Sequence, residues 1–154
     1  MLTFKIEPTT IYINAEHNAI TTLSFTPLKK HSTNDNSILT EFSNELTLYF
    51  NGNLKSFKTP FLIKNGTQFQ KKVWLSLKEI PYGETRTYQD IANMVGSPKA
   101  YQAVGQALRL NPLPILLPCH RVIKKSGEVS GFFGASSDGL TIKKYLLDLE
   151  KKNL

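Results

Sequence analysis

The chain holds one cysteine, Cys119, among its 154 residues. A single thiol excludes an internal disulfide and any metal site built from several thiolates, so Cys119 is either an inert core thiol or a chemically used one. Long apolar runs are missing too: nothing approaches the ~18 residues of a membrane span, and Met1-Leu2-Thr3-Phe4-Lys5 is not a charged segment leading into an apolar one. A soluble, cytoplasmic protein that does not enter a membrane is the expectation. Internal repeats and low-complexity tracts are absent as well. Acidic residues are scarce, 12 Asp and Glu against 19 Lys and Arg, which leaves a net charge of +7. That excess suits an anionic partner, although charge alone does not choose between nucleic acid, an acidic membrane surface and simple solubility.

A hydrophobic content of 40% is enough for one compact unit or two small lobes sharing a core. Residues 1 to 26 read as strands: Ile11 and Ile13 alternate with polar neighbours, Leu23 and Phe25 do the same, and Asn14 to Asn18 supplies a polar turn, together a hairpin. Ile38, Leu39, Phe42, Leu46 and Tyr49 then recur at helical spacing up to the Asn51-Gly52-Asn53 breaker. Residues 54 to 66 read as a linker, with a boundary near residue 62.

A helix with Phe69, Val73, Leu77 and Ile80 on one face opens the second lobe, and Pro81-Tyr82-Gly83 stops it. Thr87, with Asp90 three residues on, caps the next helix, whose buried stripe is Tyr88, Ile91, Ala92 and Val95 before Gly96. Ser97 is then expected to cap another helix with Pro98 at its first position and Ala100, Ala103, Val104, Ala107 and Leu108 facing inward. Two short helices across a Gly-containing turn match a helix-turn-helix. Lys99, Gln102, Gln106 and Arg109 stack donors along the outer face of its second helix, an arrangement suited to phosphates and base edges.

Asn111-Pro112-Leu113-Pro114 breaks that helix, and Ile115 to Leu117 reads as a buried extended segment leading to Pro118-Cys119-His120-Arg121-Val122. Val122-Ile123 and Glu128-Val129 flank Lys124 to Gly127 as a hairpin or wing that carries Lys125. Gly131 to Gly139 reads as a loop, and a last helix uses Leu140, Tyr145, Leu146 and Leu149 as its core face. The fold class is therefore α/β in the α+β sense. A small N-terminal antiparallel-sheet lobe with one helix spans residues 1–62, and a mostly helical lobe with a winged helix-turn-helix spans 63–154.

An ordinary thiol is only a few per cent ionised at neutral pH, so a nucleophilic cysteine needs a base, a cation or a helix N-terminus beside it. His120 is the nearest base. Adjacent residues on a regular strand point to opposite faces, so the two meet only across irregular backbone or through a bridging water, and the water is the favoured route. A histidine used in this way needs its second nitrogen fixed, usually by a carboxylate. Glu150 is a candidate because an acid near a helix C-terminus opposes the macrodipole and asks for a reason.

Pro118-Cys119-His120-Arg121-Val122, preceded by Asn111-Pro112-Leu113-Pro114-Ile115, by Thr87-Tyr88 and by Ser97-Pro98-Lys99-Ala100, resembles the O6-alkylguanine-DNA alkyltransferases, also called methylated-DNA-protein-cysteine methyltransferases. The resemblance covers residues 67 to 151, with only the general layout shared before them. It implies DNA repair by stoichiometric, irreversible transfer of an alkyl group from O6-alkylguanine in duplex DNA to Cys119, with O4-alkylthymine a second candidate substrate. It makes Cys119 the alkyl acceptor, His120 the water-linked base and Glu150 the carboxylate that orients it. Asn111 braces the site, and Tyr88 helps rotate the target nucleotide and protonates the departing guanine.

Thr87 and Arg109 then fall at DNA-contacting positions, joined by Lys99, Tyr101, Gln102, Gln106 and Lys125. Pro114, Val122, Phe132 and Phe133 fall at the substrate pocket. Two departures stand out. Gln102 occupies the place of the family's intercalating arginine, so flipping leans on Tyr88 and Tyr101 or is less efficient, and the Gly131 to Gly139 loop is longer and can reshape the pocket rim. The cysteines that hold structural zinc in some relatives are missing, so no metal or cofactor is expected. The implied protein is a monomer, cooperative on DNA in one version, and nucleoid-associated or, in a eukaryote, nuclear.

Two rival readings remain. A sensor of alkylated bases that recruits other repair proteins would replace the acceptor cysteine, which is present here. A thiol hydrolase using Cys119, His120 and Glu150 would turn over on esters without DNA and would leave the basic helix-turn-helix unexplained.

Overall fold

Alternation of apolar and polar residues produces three strands at the start of the chain, one more than the expected hairpin. The computed structural model describes residues 1–6, 9–29, 36–129 and 138–154. In it β1 (Leu2–Ile6), β2 (Thr9–Glu16) and β3 (Ala19–Ser24) form an antiparallel sheet in the order β1-β2-β3. The β2–β3 turn is only His17 and Asn18, with φ of 50° and 59°, the left-handed pair that matches the twist of flanking strands. Asn14 and Ala15, read from sequence as turn, are strand residues, and a register shift between them lets both be buried.

α1 (Asn36–Phe50) buries Ile38, Leu39, Phe42, Leu46 and Tyr49, which pack with Ile11, Ile13, Ile20 and Leu23 into the core of a unit spanning Met1–Lys64. Much of the expected linker belongs to this unit. Ile20 donates to the Pro60 carbonyl and Leu62 to the Ile20 carbonyl, each at 2.9 Å. The Glu45 carboxylate accepts the backbone N–H groups of Lys58 and Thr59 at 2.8 and 2.9 Å.

Asn65–Leu154 forms the second unit. α2 (Gln68–Ser76) starts with a capping box in which Thr67 and Gln70 exchange side-chain and backbone bonds, satisfying two donors that a helix start otherwise leaves open. Its buried face holds Val73 and Trp74, with Leu77 and Ile80 following, while Phe69 is only half-buried. The Trp74 indole donates to the Ala107 carbonyl at 2.7 Å, fixing α2 against the helix that carries Ala107. β4 (Arg86–Thr87) leads directly into α3 (Tyr88–Met94), capped by Thr87 and Asp90 as the sequence suggested. Gly96 ends that helix at φ +76°, a conformation cheap only for glycine.

α4 (Tyr101–Arg109) begins three residues later than expected. Ser97 does not cap it: residues 97–100 close a separate turn through Ala100 N–H to Ser97 C=O at 2.9 Å, and the N-cap is Ala100 with no side-chain bond. Val104, Ala107 and Leu108 face inward, but Ala103 is exposed. The segment read as extended, 115–117, is buried but folded into a turn, with Leu117 N–H bonded to Leu113 C=O at 2.8 Å and Ile115 at φ +75°. A β-branched residue pays roughly 1–3 kcal/mol for that conformation, and the tightly buried surroundings impose it.

β5 (Val122–Ile123) does not pair with residues 128–129. It pairs in parallel with β4, Arg86 opposite Val122 and Thr87 opposite Ile123, while Lys124 to Glu128 closes a tight turn by two backbone bonds of 2.8 and 3.2 Å. α5 (Asp138–Lys152) completes a mixed α/β chain. No helix among the described residues is long and apolar enough to cross a membrane.

Candidate active site

The short β4–β5 pairing sets the site, because it fixes the chain just after Cys119 to the start of the helix-turn-helix. Cys119–Arg121 forms a 3-10 turn instead of strand, so its three side chains spread around one axis, and all three are buried, at 6%, 0% and 8% exposure. The backbone at Cys119 and His120 is thus irregular, one of the two routes left open by their adjacency, of which the bridging water was the favoured one.

His120 Nε2 lies 2.7 Å from Glu150 Oε2, and Glu150 is 1% exposed. The same carboxylate accepts Arg121 Nε–H at 2.8 Å, the second Arg121 arm at 3.0 Å and the Gly83 backbone N–H at 3.2 Å. The remaining arm of Arg121 donates to the Ile80 carbonyl at 2.7 Å. Burial alone would raise the Glu150 carboxyl, but bonds and charge from His120 and then Arg121 outweigh it and hold the group well below the usual carboxylate range. An ionised carboxylate only accepts, so the network assigns the proton to His120 Nε2 and leaves Nδ1 as the basic nitrogen. Nδ1 has no hydrogen-bond partner among the described residues. Burial lowers the imidazole's pKa further than Glu150 raises it, which keeps the ring neutral at pH 7.

Burial also governs Cys119, pushing its thiol up to about 11 against the opposing pull of the Asn111 side chain and of Lys143. At neutral pH the resting thiol is therefore protonated. Asn111 ties its surroundings together: its amide donates to the Leu117 carbonyl at 2.8 Å and its oxygen accepts Leu113 N–H at 2.9 Å, bracing the strained turn between α4 and the thiol. Pro114 and Val122 are both buried in this framework. Phe132 and Phe133 lie outside the described residues.

An open groove of about 650 Å³ runs along the helix-turn-helix, lined by none of Cys119, His120 and Glu150. Tyr88 on its wall connects it to the thiol turn through Lys143, whose Nζ is 5.9 Å from the Tyr88 ring and bonded to the Val122 carbonyl. Tyr101, Gln102, Gln106 and Arg109 of α4 form one wall, Thr87 and Tyr88 contribute from the start of α3, and Lys125 closes it from the turn after β5. Lys99 is exposed in the turn ahead of α4, outside the groove. Gly105, Gln89 and Lys124 also line the groove, and the sequence reading placed none of the three there.

Two buried charges were missed altogether. Arg121 was read only as part of the pentapeptide, yet it holds the carboxylate as firmly as His120 does. Lys143 is 4% exposed and donates to the Val122 carbonyl at 2.5 Å, with its Nζ 5.9 Å from the centre of the Tyr88 ring. A signal for Lys143 was available: it lies seven residues before Glu150, two helical turns, on the stripe that also buries Ile142 and Leu146.

Residues 68–152 match the family described as 6-O-methylguanine DNA methyltransferase, DNA binding domain, and residues 3–63 match its ribonuclease-like domain. The methylated-DNA–protein-cysteine methyltransferase of Methanosarcina barkeri is 51% identical over 114 residues, 74% of this chain and 69% of that protein. A crystal structure of Mycobacterium tuberculosis O6-methylguanine methyltransferase superposes with a TM-score of 0.84 at 33% identity, covering 99% of this chain and 92% of that one. Mycobacterium tuberculosis OGT in complex with DNA gives 0.83 at 34% identity, over 98% and 92%. The chain belongs to the methylated-DNA–protein-cysteine methyltransferase family.

Proposed function

We propose that this protein repairs DNA directly, taking the alkyl group from O6-alkylguanine in a duplex onto its own Cys119. The observation that carries the reading is the placement of a lone thiol on a buried turn beside a neutral, carboxylate-oriented histidine, in the same unit as an open groove walled by a helix-turn-helix. The O6-alkyl carbon lies within a stacked duplex, so the nucleotide must swing out first, at a cost of a few kcal/mol. Phosphate contacts from Arg109, Lys125 and Lys99 offset that cost, with Thr87 and Gln106 contributing polar contacts.

His120 Nδ1 accepts the thiol proton through a water, and Glu150 stabilises the resulting imidazolium. The thiolate then attacks the alkyl carbon in line. An S–C bond forms as the C–O6 bond breaks, and the electron pair moves onto the guanine, which takes a proton from the Tyr88 hydroxyl; the proton that His120 received offsets the one Tyr88 gives up, and its return leaves both side chains neutral. Products are a thioether and an unmodified guanine. Water does not reverse a thioether, and the chain has one cysteine, so each molecule acts once and the reaction as written needs one chain. Asn111 holds the nucleophile's turn in register with α4, while Pro114 and Val122 back the pocket. Residues 63–154 carry DNA binding and chemistry in this scheme, and residues 1–62 a separate sheet-and-helix lobe.

Cys119→Ala tests this. Transfer of label from an O6-methylguanine duplex falls to background while affinity for the duplex stays within about twofold, since the thiol makes no phosphate contact. Persistent transfer would place the acceptor elsewhere.

A further inference from the structure

The His120–Glu150–Arg121 cluster accounts for the proton and for one positive charge, the imidazolium that His120 becomes on accepting it. Glu150 and Arg121 cancel one another through two direct bonds, and the imidazolium is bonded through its other nitrogen to the Glu150 carboxylate, so its charge is shared between Glu150 and an ionised Cys119. A buried anion without a counter-charge is strongly disfavoured. Asn111 offers a dipole only. The described cation that acts on the Cys119 thiol is Lys143, and the influence is mutual, each favouring the other's charged form.

Its placement is fixed from both sides. Lys143 projects from α5 into the interior, 4% exposed, and its Nζ is bound at 2.5 Å to the carbonyl of Val122, the residue that closes the Cys119–Arg121 turn. On the groove side, Nζ lies 5.9 Å from the ring of Tyr88, within the range in which an aromatic face attracts a cation. The groups that act with it are Cys119 and His120 on the turn, whose thiolate it favours and whose imidazolium it opposes, and the Tyr88 ring on α3. Burial brings the ammonium down to about 8, with Cys119 opposing that shift. It therefore still carries its charge at neutral pH, and an ionised thiol strengthens it.

We propose that the Lys143 ammonium is a second counter-charge of the Cys119 thiolate, beside the His120 imidazolium, and that the Val122 carbonyl holds it in place. His120 removes the proton and, together with Lys143, stabilises the anion that is left, so the thiolate faces two cations of which only one took its proton. A stationary cation suits an attack in which the sulfur's negative charge passes to the departing guanine, because the ammonium itself gives up and takes up no proton in the reaction. This rests on Cys119 being the nucleophile, but its test does not need DNA.

The intact protein, as wild type, Lys143→Met and Lys143→Arg, is treated with iodoacetamide across pH 6 to 10.5, and Cys119 carbamidomethylation is followed by mass. Loss of the cation moves the Met variant's alkylation curve to higher pH by about 1 or more, so its rate near pH 7 drops roughly tenfold or more and approaches wild type at the alkaline end. The Arg variant stays near the wild-type curve. Single-turnover transfer from the O6-methylguanine duplex falls in the Met variant in the same proportion, with unchanged DNA affinity. A Met variant with the wild-type curve, or one slowed equally at every pH, would overturn the proposal and leave Lys143 a structural clamp on Val122. If the curves shift but no variant, wild type included, transfers from DNA, the repair reading fails and the charge pairing stands.

Discussion

Within the Asn65–Leu154 unit, charge is handled in two opposite ways. Around Cys119 the ionic side chains are buried and bonded: Glu150 takes four hydrogen bonds from His120, Arg121 and Gly83, and Lys143 is fixed to a backbone carbonyl. Along α4 and the turn after β5, Gln102, Gln106, Arg109 and Lys125 stand exposed on the wall of an open groove. The buried set fixes one tautomer and one rotamer for chemistry in a low-dielectric interior, where a single lost partner is expensive. The exposed set meets a long polyanion whose contacts are screened, individually weak and additive. Substitutions in the two regions should therefore differ in size and in kind.

Glu150→Gln should have the largest effect, because it removes the partner of two buried groups at once. It leaves Arg121 buried without its counter-charge, a loss of roughly 3 kcal/mol, and it frees His120 to take the wrong tautomer. Transfer should slow by about 10² or more while the affinity for DNA holds. The acid limb of stability gives an independent check. Because the Glu150 carboxyl is held below its unfolded range, its contribution is complete above the unfolded pKa and disappears as pH falls toward the folded one. Wild type should lose thermal stability below about pH 4.3 more steeply than Glu150→Gln, and parallel curves for the two proteins would mean that this carboxylate is not specially held.

Gln102→Arg should have a smaller effect and should act on the duplex alone. The groove wall presents Tyr101, 49% exposed, next to Gln102, so an aromatic face is available to stack in the gap left by a flipped nucleotide while the amide hydrogen-bonds the orphaned base. Adding a cation at 102 should raise the single-turnover rate on duplex roughly fivefold, the worth of about 1 kcal/mol in one hydrogen bond. The rate on free O6-methylguanine, which needs no flipping, should not change. An equal change on both substrates would mean that position 102 influences the chemistry.

Local rules made the helices of the second unit readable. Thr87 and Asp90 form a capping box, Gly96 ends α3, and Val104, Ala107 and Leu108 follow helical spacing. They failed where tertiary packing overrode them. Ser97-Pro98 is a good helix start by composition, yet the chain spends it on a turn. Ile115 has strong strand propensity and is held at positive φ by its buried surroundings. Val122-Ile123 carried no mark that its partner was Arg86-Thr87, because a parallel pairing across 36 positions leaves no local pattern.

The site shows the same division. Cys119, His120 and Glu150 drew attention because each was locally odd: a lone thiol, a base beside it and an acid near a helix end. Glu150 sits in the last turn of α5 and bonds His120 as the sequence suggested, and it also holds Arg121, which nothing in its local surroundings announced. Arg121 and Lys143 were hidden because long cationic side chains are ordinarily solvated, and only their seven-residue and adjacent spacings to known site residues could have singled them out.

The most direct test of alkyl transfer to Cys119 is the intact mass of the wild-type protein after incubation with excess duplex bearing O6-methylguanine, followed by peptide mapping. The result expected is a gain of one methyl group per chain, located on the peptide containing Cys119, with the guanine restored and no further gain however long the incubation. Unchanged mass with the lesion left intact, a methyl group on another residue, or repair of several lesions per protein molecule would contradict it.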